Sequence, residues 1–221
     1  MPTHQSIGGA SDDELLQRMV ATHPVRFGAG FWGIFDEHVA RRLLSAPVMV
    51  DLGCGPGLLL RDLGIRAPAA TSYGYDVTPA MIDHARQLPY PGAKPVFAIH
   101  DVTTAPLPHA ALTVDLAVMS SVLHVLDEPL PVLAEIRRVL RGTGVFLLHD
   151  WTRQTLEAYL AWRRDVLGET DTRRGFRLFP VHNKYTTDDW RWLLTQAGFE
   201  IAHHAQLRAS HGIFVATPKE Q

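Results

Sequence analysis

The stretch Val50-Asp51-Leu52-Gly53-Cys54-Gly55-Pro56-Gly57 decides the fold. Just before it, Pro47-Val48-Met49-Val50 is apolar on successive residues, as a strand is when both faces of a parallel sheet are covered. Just after it, Leu58 to Leu63 read as a short helix. Three glycines therefore stand between a buried strand and a helix. Glycine suits that place because it tolerates positive φ, lets a ligand approach the backbone and permits close packing of helix on strand. The spacing is GxGxG, one residue tighter than the GxGxxG of nicotinamide and flavin sites. Pro56 removes one amide donor near the helix start, so the turn suits a pyrophosphate less well.

The same rhythm continues downstream. Ser72 to Asp76 is a second strand, followed by a helix that opens at Pro79 and carries Met81, Ile82 and Ala85. Pro95 to Ile99 is a third strand ending at His100-Asp101, and Asp115 to Met119 is a fourth. A helix from Leu130 to Leu140 turns at Gly142-Thr143-Gly144 into a fifth strand, Val145 to Leu148. Thr186 or Thr187 caps a helix over 188–197, closed by Gly198. Phe199 to Gln206 and His211 to Thr217 read as an antiparallel hairpin at the sheet edge. The alternation predicts an α/β, doubly wound, mostly parallel seven-stranded sheet.

Two segments stand outside that rhythm. Ser11 and Glu14 form a capping box for a helix that ends near Thr22, where His23-Pro24 breaks it. A further helix runs from Phe31 to Leu44 with Phe31, Phe35, Val39 and Leu43 on one face. Residues 1–11 are polar and expected to be disordered. Residues 151–185 are rich in Trp, Tyr and Arg and read as a helical excursion plus loop. The predicted organisation is a single domain, 1–221, with an N-terminal helical cap at 11–44 and a cap or insert at 151–185.

Asp76 lies nineteen residues beyond Gly57, at the end of strand two. That place faces the crevice at the carboxyl edge of the sheet. A carboxylate there can accept charge-assisted hydrogen bonds from both hydroxyls of a ribose, or can be a plain strand-end turn acid. Asp101, at the end of strand three, can accept from an adenine amino group, with the Val102 amide offered to the ring.

These features resemble the class I S-adenosylmethionine-dependent methyltransferases, over residues 30–150 and again over 186–217. The resemblance implies a Rossmann-like methyltransferase fold and S-adenosyl-L-methionine as cofactor. It implies that Asp51, Gly53, Cys54, Gly55 and Gly57 wrap the methionine part of the cofactor and that Asp76 holds the ribose. Val77, Thr78 and Met81 would pack near the adenine, with Asp101 and Val102 at its amino group. Ser120, after strand four, would touch the sulfonium end. The turn at Gly142-Thr143-Gly144 departs from the family's Pro-Gly-Gly and only closes a helix. The implied activity is methyl transfer to a small-molecule acceptor. The alternatives are an enzyme that cyclises or cleaves the cofactor, and a protein that only binds it.

Methyl transfer needs alignment and exclusion of water, and a base only where the nucleophile carries a proton. His124, Asp150 and Tyr185 are the candidates for catalytic groups. His124 suits a general base, a pocket contact, or neither. Phe27, Phe31, Trp32, Trp151, Tyr159, Trp162 and His182 are candidates to line the acceptor space. Phe31-Trp32 suits a lid or a core face, and residues 151–185 suit an acceptor pocket or a dimer interface. The chain is expected to be a monomer or a homodimer.

Composition narrows the rest. A net charge of −2 gives no general attraction for nucleic acid or an anionic membrane. Arg137, Arg138 and Arg141 read as a solvated helix end. A single cysteine, Cys54, allows no intrachain disulfide and no thiolate cluster. The twelve histidines are scattered without HExxH, so no metal is expected. Neither a signal peptide nor a membrane span is evident, which makes a cytoplasmic location the expectation.

Overall fold

β4, Val114–Ser120, is buried at every residue. That follows from its place at the centre of a parallel sheet clothed on both faces. In the computed structural model, which describes residues 9–220, this strand is flanked by β1 (Val48–Leu52) and β5 (Leu140–Trp151). The remaining strands are β2 (Thr71–Asp76), β3 (Val96–Ile99), β6 (Phe199–Arg208) and β7 (His211–Pro218). The sheet order is β3-β2-β1-β4-β5-β7-β6. β1 pairs in parallel with both β2 and β4, and β7 alone of β5's partners runs antiparallel, with Asp150 opposite Gly212 and Trp151 opposite His211. The expected mostly parallel seven-stranded sheet is present, and the β6–β7 hairpin forms its edge.

Strand periodicity divides the core in two. Val50, Leu52, Ala117, Met119, Leu148 and Phe214 point to one face, where they meet α5 (Pro129–Val139) and α8 (Thr187–Gln196). Met49, Leu116, Val118, Leu147 and Val215 point to the other. There they meet α2 (Ala29–Ile34), α3 (Leu58–Arg66) and α4 (Pro79–Gln87). Side chains at i and i+2 share a face of a strand, so both layers are written into the same segments.

Three local expectations need correction. The first helix does not stop before Pro24: α1 spans Asp12–Arg26 with the proline inside. Proline costs a helix one hydrogen bond, but the residues around this one are anchored. His23 Nε2 lies 2.7 Å from Asp62 Oδ2, and the Arg26 guanidinium donates to the Met19 carbonyl at 3.2 Å. Phe31 to Leu44 is not one helix. α2 ends at Ile34, a π-turn runs over Phe35–Val39, and a 3₁₀ turn covers Ala40–Arg42. The wider turn keeps Phe31, Phe35 and Val39 buried on one line. The third is β5, which extends well beyond Val145–Leu148 at both ends and takes in Asp150 and Trp151. The insert after β5 is two helices, α6 (Leu156–Leu167) and α7 (Thr172–His182). Of the N-terminal residues expected to be disordered, 1–8 lie outside the described ones.

Gly57 shows how tightly the β1–α3 turn is set. Its φ is 80°, and a Cβ there would meet Tyr90 Oη at 2.4 Å and Ala85 Cβ at 2.8 Å. Gly57→Ala therefore combines backbone strain with overpacking against α4. The expected loss of unfolding free energy is about 2–4 kcal/mol in urea titration. A loss below about 1 kcal/mol would show that α4 moves aside at little cost.

Candidate active site

The strand order reverses between β1 and β4, so their carboxyl ends open a crevice. The glycine turn forms its floor. Gly53, Gly55 and Gly57 have φ of 74°, 50° and 80°, a region that L side chains rarely enter. The Gly53 and Cys54 amides both donate to the Tyr75 carbonyl, at 2.7 and 3.0 Å. The Gly55 amide donates to Asp76 Oδ2 at 2.9 Å, and the Thr78 amide to Asp76 Oδ1 at 2.9 Å. Two backbone donors thus fix the Asp76 carboxylate at the end of β2. Burial raises its pKa, against which the Thr78 and Gly55 amides act.

Asp51 lies beneath the turn, 2% exposed. Burial first, and then the charge of Asp76, push its pKa up to about 7, with Arg26 opposing. Cys54 is buried too, with its thiol pushed well up by burial and by Asp51 and Asp76. Its Sγ sits 3.0 Å from where a Cβ on Gly74 would be, so it packs against the sheet and leaves only its backbone to the turn.

A cavity of about 180 Å³ stands over this floor. Gly53, Asp76, Thr78 and Met81 line one wall, with Val77, His100 and Val102 beyond them. Ser120, Ser121 and Val122 close it at the exit of β4, and Trp151, His182 and His211 at the exit of β5. Ser121 itself has φ 57°, an unusual value for a serine, at the place where β4 releases the chain. The roof is α1, through Leu15, Arg18, Met19, Thr22, Val25 and Arg26. Met19 Cε comes within 2.5 Å of the position a Gly55 Cβ would take, so the roof rests directly on the floor.

The roof is fastened at both ends. Arg18 Nη1 pairs with Glu169 Oε1 at 2.6 Å, and Glu169 also pairs with Arg163 of α6. Arg163 donates to Tyr159 Oη at 3.0 Å, and that hydroxyl lies 2.8 Å from His182 Nδ1. His182 stacks on Trp151 with ring centres 4.0 Å apart. At the other end, His23 holds Asp62 of α3.

Of the residues singled out in the sequence, Gly53, Asp76, Val77, Met81, Val102 and Ser120 lie on the cavity, with Asp51, Gly55 and Gly57 directly beneath or beside it in the turn. Others sit elsewhere. Asp101 turns its carboxylate onto its own loop, accepting from the Thr103 amide at 2.9 Å and hydroxyl at 2.6 Å. Tyr185 is not on the cavity wall but packs on Trp190, 4.5 Å between ring centres. Phe31 belongs to the core, and Trp32 carries the Arg66 guanidinium 3.6 Å above its ring. His124 and Asp150 lie behind the wall. Asp150 Oδ1 accepts from the Trp151 amide at 2.7 Å and sits 2.6 Å from His124 Nδ1. The pair holds the end of β5 that carries Trp151.

Within the expected N-terminal cap at 11–44 the roof residues of α1 were not singled out, nor were Arg208 and His211 on the β6–β7 hairpin. For α1 a signal existed: Leu15, Met19, Thr22 and Arg26 recur at helical spacing, a face with no partner in the helix itself.

Residues 50–148 match the family model described as "Methyltransferase domain". The malonyl-[acyl-carrier protein] O-methyltransferase of Hahella chejuensis is 32% identical over 115 residues, 52% of this chain and 40% of that protein. The trans-aconitate 2-methyltransferase of Methylobacterium radiotolerans is 41% identical over 70 residues, 31% of this chain and 25% of that protein. A SAM-dependent methyltransferase from Aquifex aeolicus superposes with a TM-score of 0.68 at 15% identity, over 93% of this chain and 97% of that one. The fold is that of the class I S-adenosylmethionine-dependent methyltransferases. The chain spans less than half the length of these two curated relatives, and the segment matched by the family model runs from within β1 into β5.

Asp51 makes this methyltransferase fold sensitive to pH. In the unfolded chain its pKa is about 3.9, and in the folded protein about 7. Between those values the folded state retains the proton, so the contribution of Asp51 to stability is lost as pH rises through that window. Asp51→Asn lacks this titration. The stability of the variant relative to the parent is expected to rise between pH 5 and pH 8, by on the order of 2 kcal/mol. Parallel curves of Tm against pH for the two proteins would contradict the assignment.

Proposed function

We propose that the protein binds S-adenosyl-L-methionine in the crevice between β1 and β4 and transfers its methyl group to a small-molecule acceptor. The observation that carries this is the Asp76 carboxylate, aimed by the Gly55 and Thr78 amides at the rim of a glycine cradle. The carboxylate lines the cavity, and a ribose diol there would donate to it alongside the backbone and Thr78 donors that already hold it.

The chain's residues fit the cofactor. Gly53 lines the cavity with backbone alone, and the place of a Cβ is already taken by Val122. Asp76 offers acceptors for the ribose, Val77, Met81 and Val102 offer an apolar wall for the adenine, and Ser120 stands at the β4 exit. Bound there, the cofactor supplies a methyl group activated by a positively charged sulfur. The remaining wall, Trp151, His182 and His211 under α1, would exclude water and orient the acceptor. His124 and Asp150 serve as positioning groups for Trp151. α1, α6 and α7 together act as the cap, joined through Arg18, Glu169 and Arg163. Pockets for small molecules usually measure about 300–1,000 Å³, more than the cavity holds with Met19 against Gly55. Entry of cofactor and acceptor therefore involves displacement of α1. Of the two curated relatives, the trans-aconitate 2-methyltransferase supports a metabolite as the acceptor, and the malonyl-[acyl-carrier protein] O-methyltransferase a small acyl group carried on a protein.

Asp76→Ala should weaken binding of S-adenosylhomocysteine by about tenfold or more in calorimetry, since two hydrogen bonds to a charged group are lost. The variant should fold, because the residue lies at a crevice rim. An unchanged dissociation constant would place the ribose elsewhere.

A further inference from the structure

The cavity carries an excess of positive charge that neither its own carboxylates nor the cofactor removes. Arg18, Arg26, Arg163, Arg174 and Arg208 all line it. Asp76 is the only carboxylate among the described residues that line it. Glu169 serves Arg18 and Arg163 together. Asp51, beneath the turn, is close to half protonated at neutral pH.

Arg26 and Arg208 are left as the charged pair with the fewest partners. Both guanidinium nitrogens Nη1 and Nη2 of Arg208 are buried without a hydrogen-bond partner among the described residues, and so is Arg26 Nε. Buried N–H groups of a cation are costly to leave unmet. Burial first, then the charge of Arg208, brings the pKa of Arg26 down to about 10. The neighbouring imidazoles offer no relief. Burial first, then Arg208 and Arg26, brings His149 down to about 3, and burial holds His211 well below its ordinary value. Both rings are neutral at pH 7, and the Nε2 atom of each is buried without a described partner.

S-adenosylmethionine brings one carboxylate, but also a sulfonium and an ammonium, so its net charge is positive. Its arrival satisfies one guanidinium at most and adds to the local excess. A second anion is needed, and the acceptor is the remaining occupant of the space. We propose that the acceptor is a carboxylic acid, and that Arg208 on β6, facing Arg26 of α1, is the seat of its carboxylate. The planar fork of a guanidinium matches a carboxylate with two parallel N–H donors, and Arg208 has both free for it. The position also makes sense in the fold. β6 and β7 meet the end of β5 beside Trp151, so a carboxylate on Arg208 would lie across the cavity from Asp76, beside the aromatic wall.

This assignment rests on the cofactor reading above, and one set of titrations separates the two. The full chain is first saturated with S-adenosylhomocysteine. Malonate, glutarate and benzoate are then titrated in by calorimetry, with malonamide, glutaramide and benzamide as neutral counterparts. At least one acid should bind with an affinity about tenfold or more above that of its amide. Arg208→Gln should lower that affinity by about tenfold or more, while Arg208→Lys, which keeps the charge and loses the fork, should fall between. The affinity for S-adenosylhomocysteine itself should change in Arg208→Gln by no more than about twofold. A loss of S-adenosylhomocysteine binding in Arg208→Gln equal to the loss of acid binding would mean that the arginine serves the cofactor's carboxylate, and would overturn the proposal. So would acids that bind no better than their amides. Failure of the parent protein to bind S-adenosylhomocysteine would instead overturn the cofactor reading.

Discussion

Gly53, Gly55 and Gly57 turn the chain through three left-handed residues in five positions, and the site depends on that turn. Only there can the amides of Gly53 and Cys54 converge on one carbonyl, Tyr75, while the Gly55 amide reaches the carboxylate of the next residue, Asp76. The turn after β1 and the end of β2 are thereby locked to each other. A residue with a side chain at position 53 would meet Val122, and at position 57 would meet α4. The floor of the crevice is therefore set by backbone, with side chains excluded from it, and the one carboxylate at its rim is held from both sides.

What lies above the floor is a different kind of structure. α1, α6 and α7 are not part of the sheet's two layers. They are tied together by arginine and glutamate, with Trp151, Tyr159 and His182 packed beneath. The Arg18–Glu169 pair that ties α1 to the insert is partly exposed and so weakly stabilising, which suits a cover that must open. The floor, by contrast, is continuous with β1, which is buried from Met49 to Leu52 and pairs with the fully buried β4. The division of the molecule into a fixed cradle and a lightly fastened roof follows from these two kinds of bonding. It also explains why arginines accumulate in the cavity: they come from the roof and from the sheet-edge hairpin, the parts not constrained by the core.

The sheet was legible in the sequence because its central strands are apolar on both faces and because glycine, proline or an acid marks the turns after β1 and β2. Gly53, Asp76 and Ser120 were legible for the same reason, since strand ends fix which residues reach the crevice. The roof was not. Pro24 reads as a helix breaker, yet long-range anchors at His23 and Arg26 carry α1 through it. Such anchors depend on residues 7 to 39 positions away in the chain, which local pattern does not register. Asp150 looked like a residue just past a strand, with access to the crevice. β5 in fact continues through it, paired with β7, and strand alternation turns its carboxylate inward to His124. Tyr185 belonged to an aromatic-rich segment, but Trp190 lies one helical turn beyond it and takes up its ring.

On the reading proposed above, S-adenosylmethionine lies between the glycine turn and α1. Hydrogen–deuterium exchange with and without S-adenosylhomocysteine tests it most directly. Slowed exchange at residues 15–26, 53–57 and 76–78 is expected. Slowed exchange instead at 111–112, 137–138 and 196–198, the groove on the opposite side of the sheet's carboxyl edge, with residues 53–57 unchanged, would contradict it.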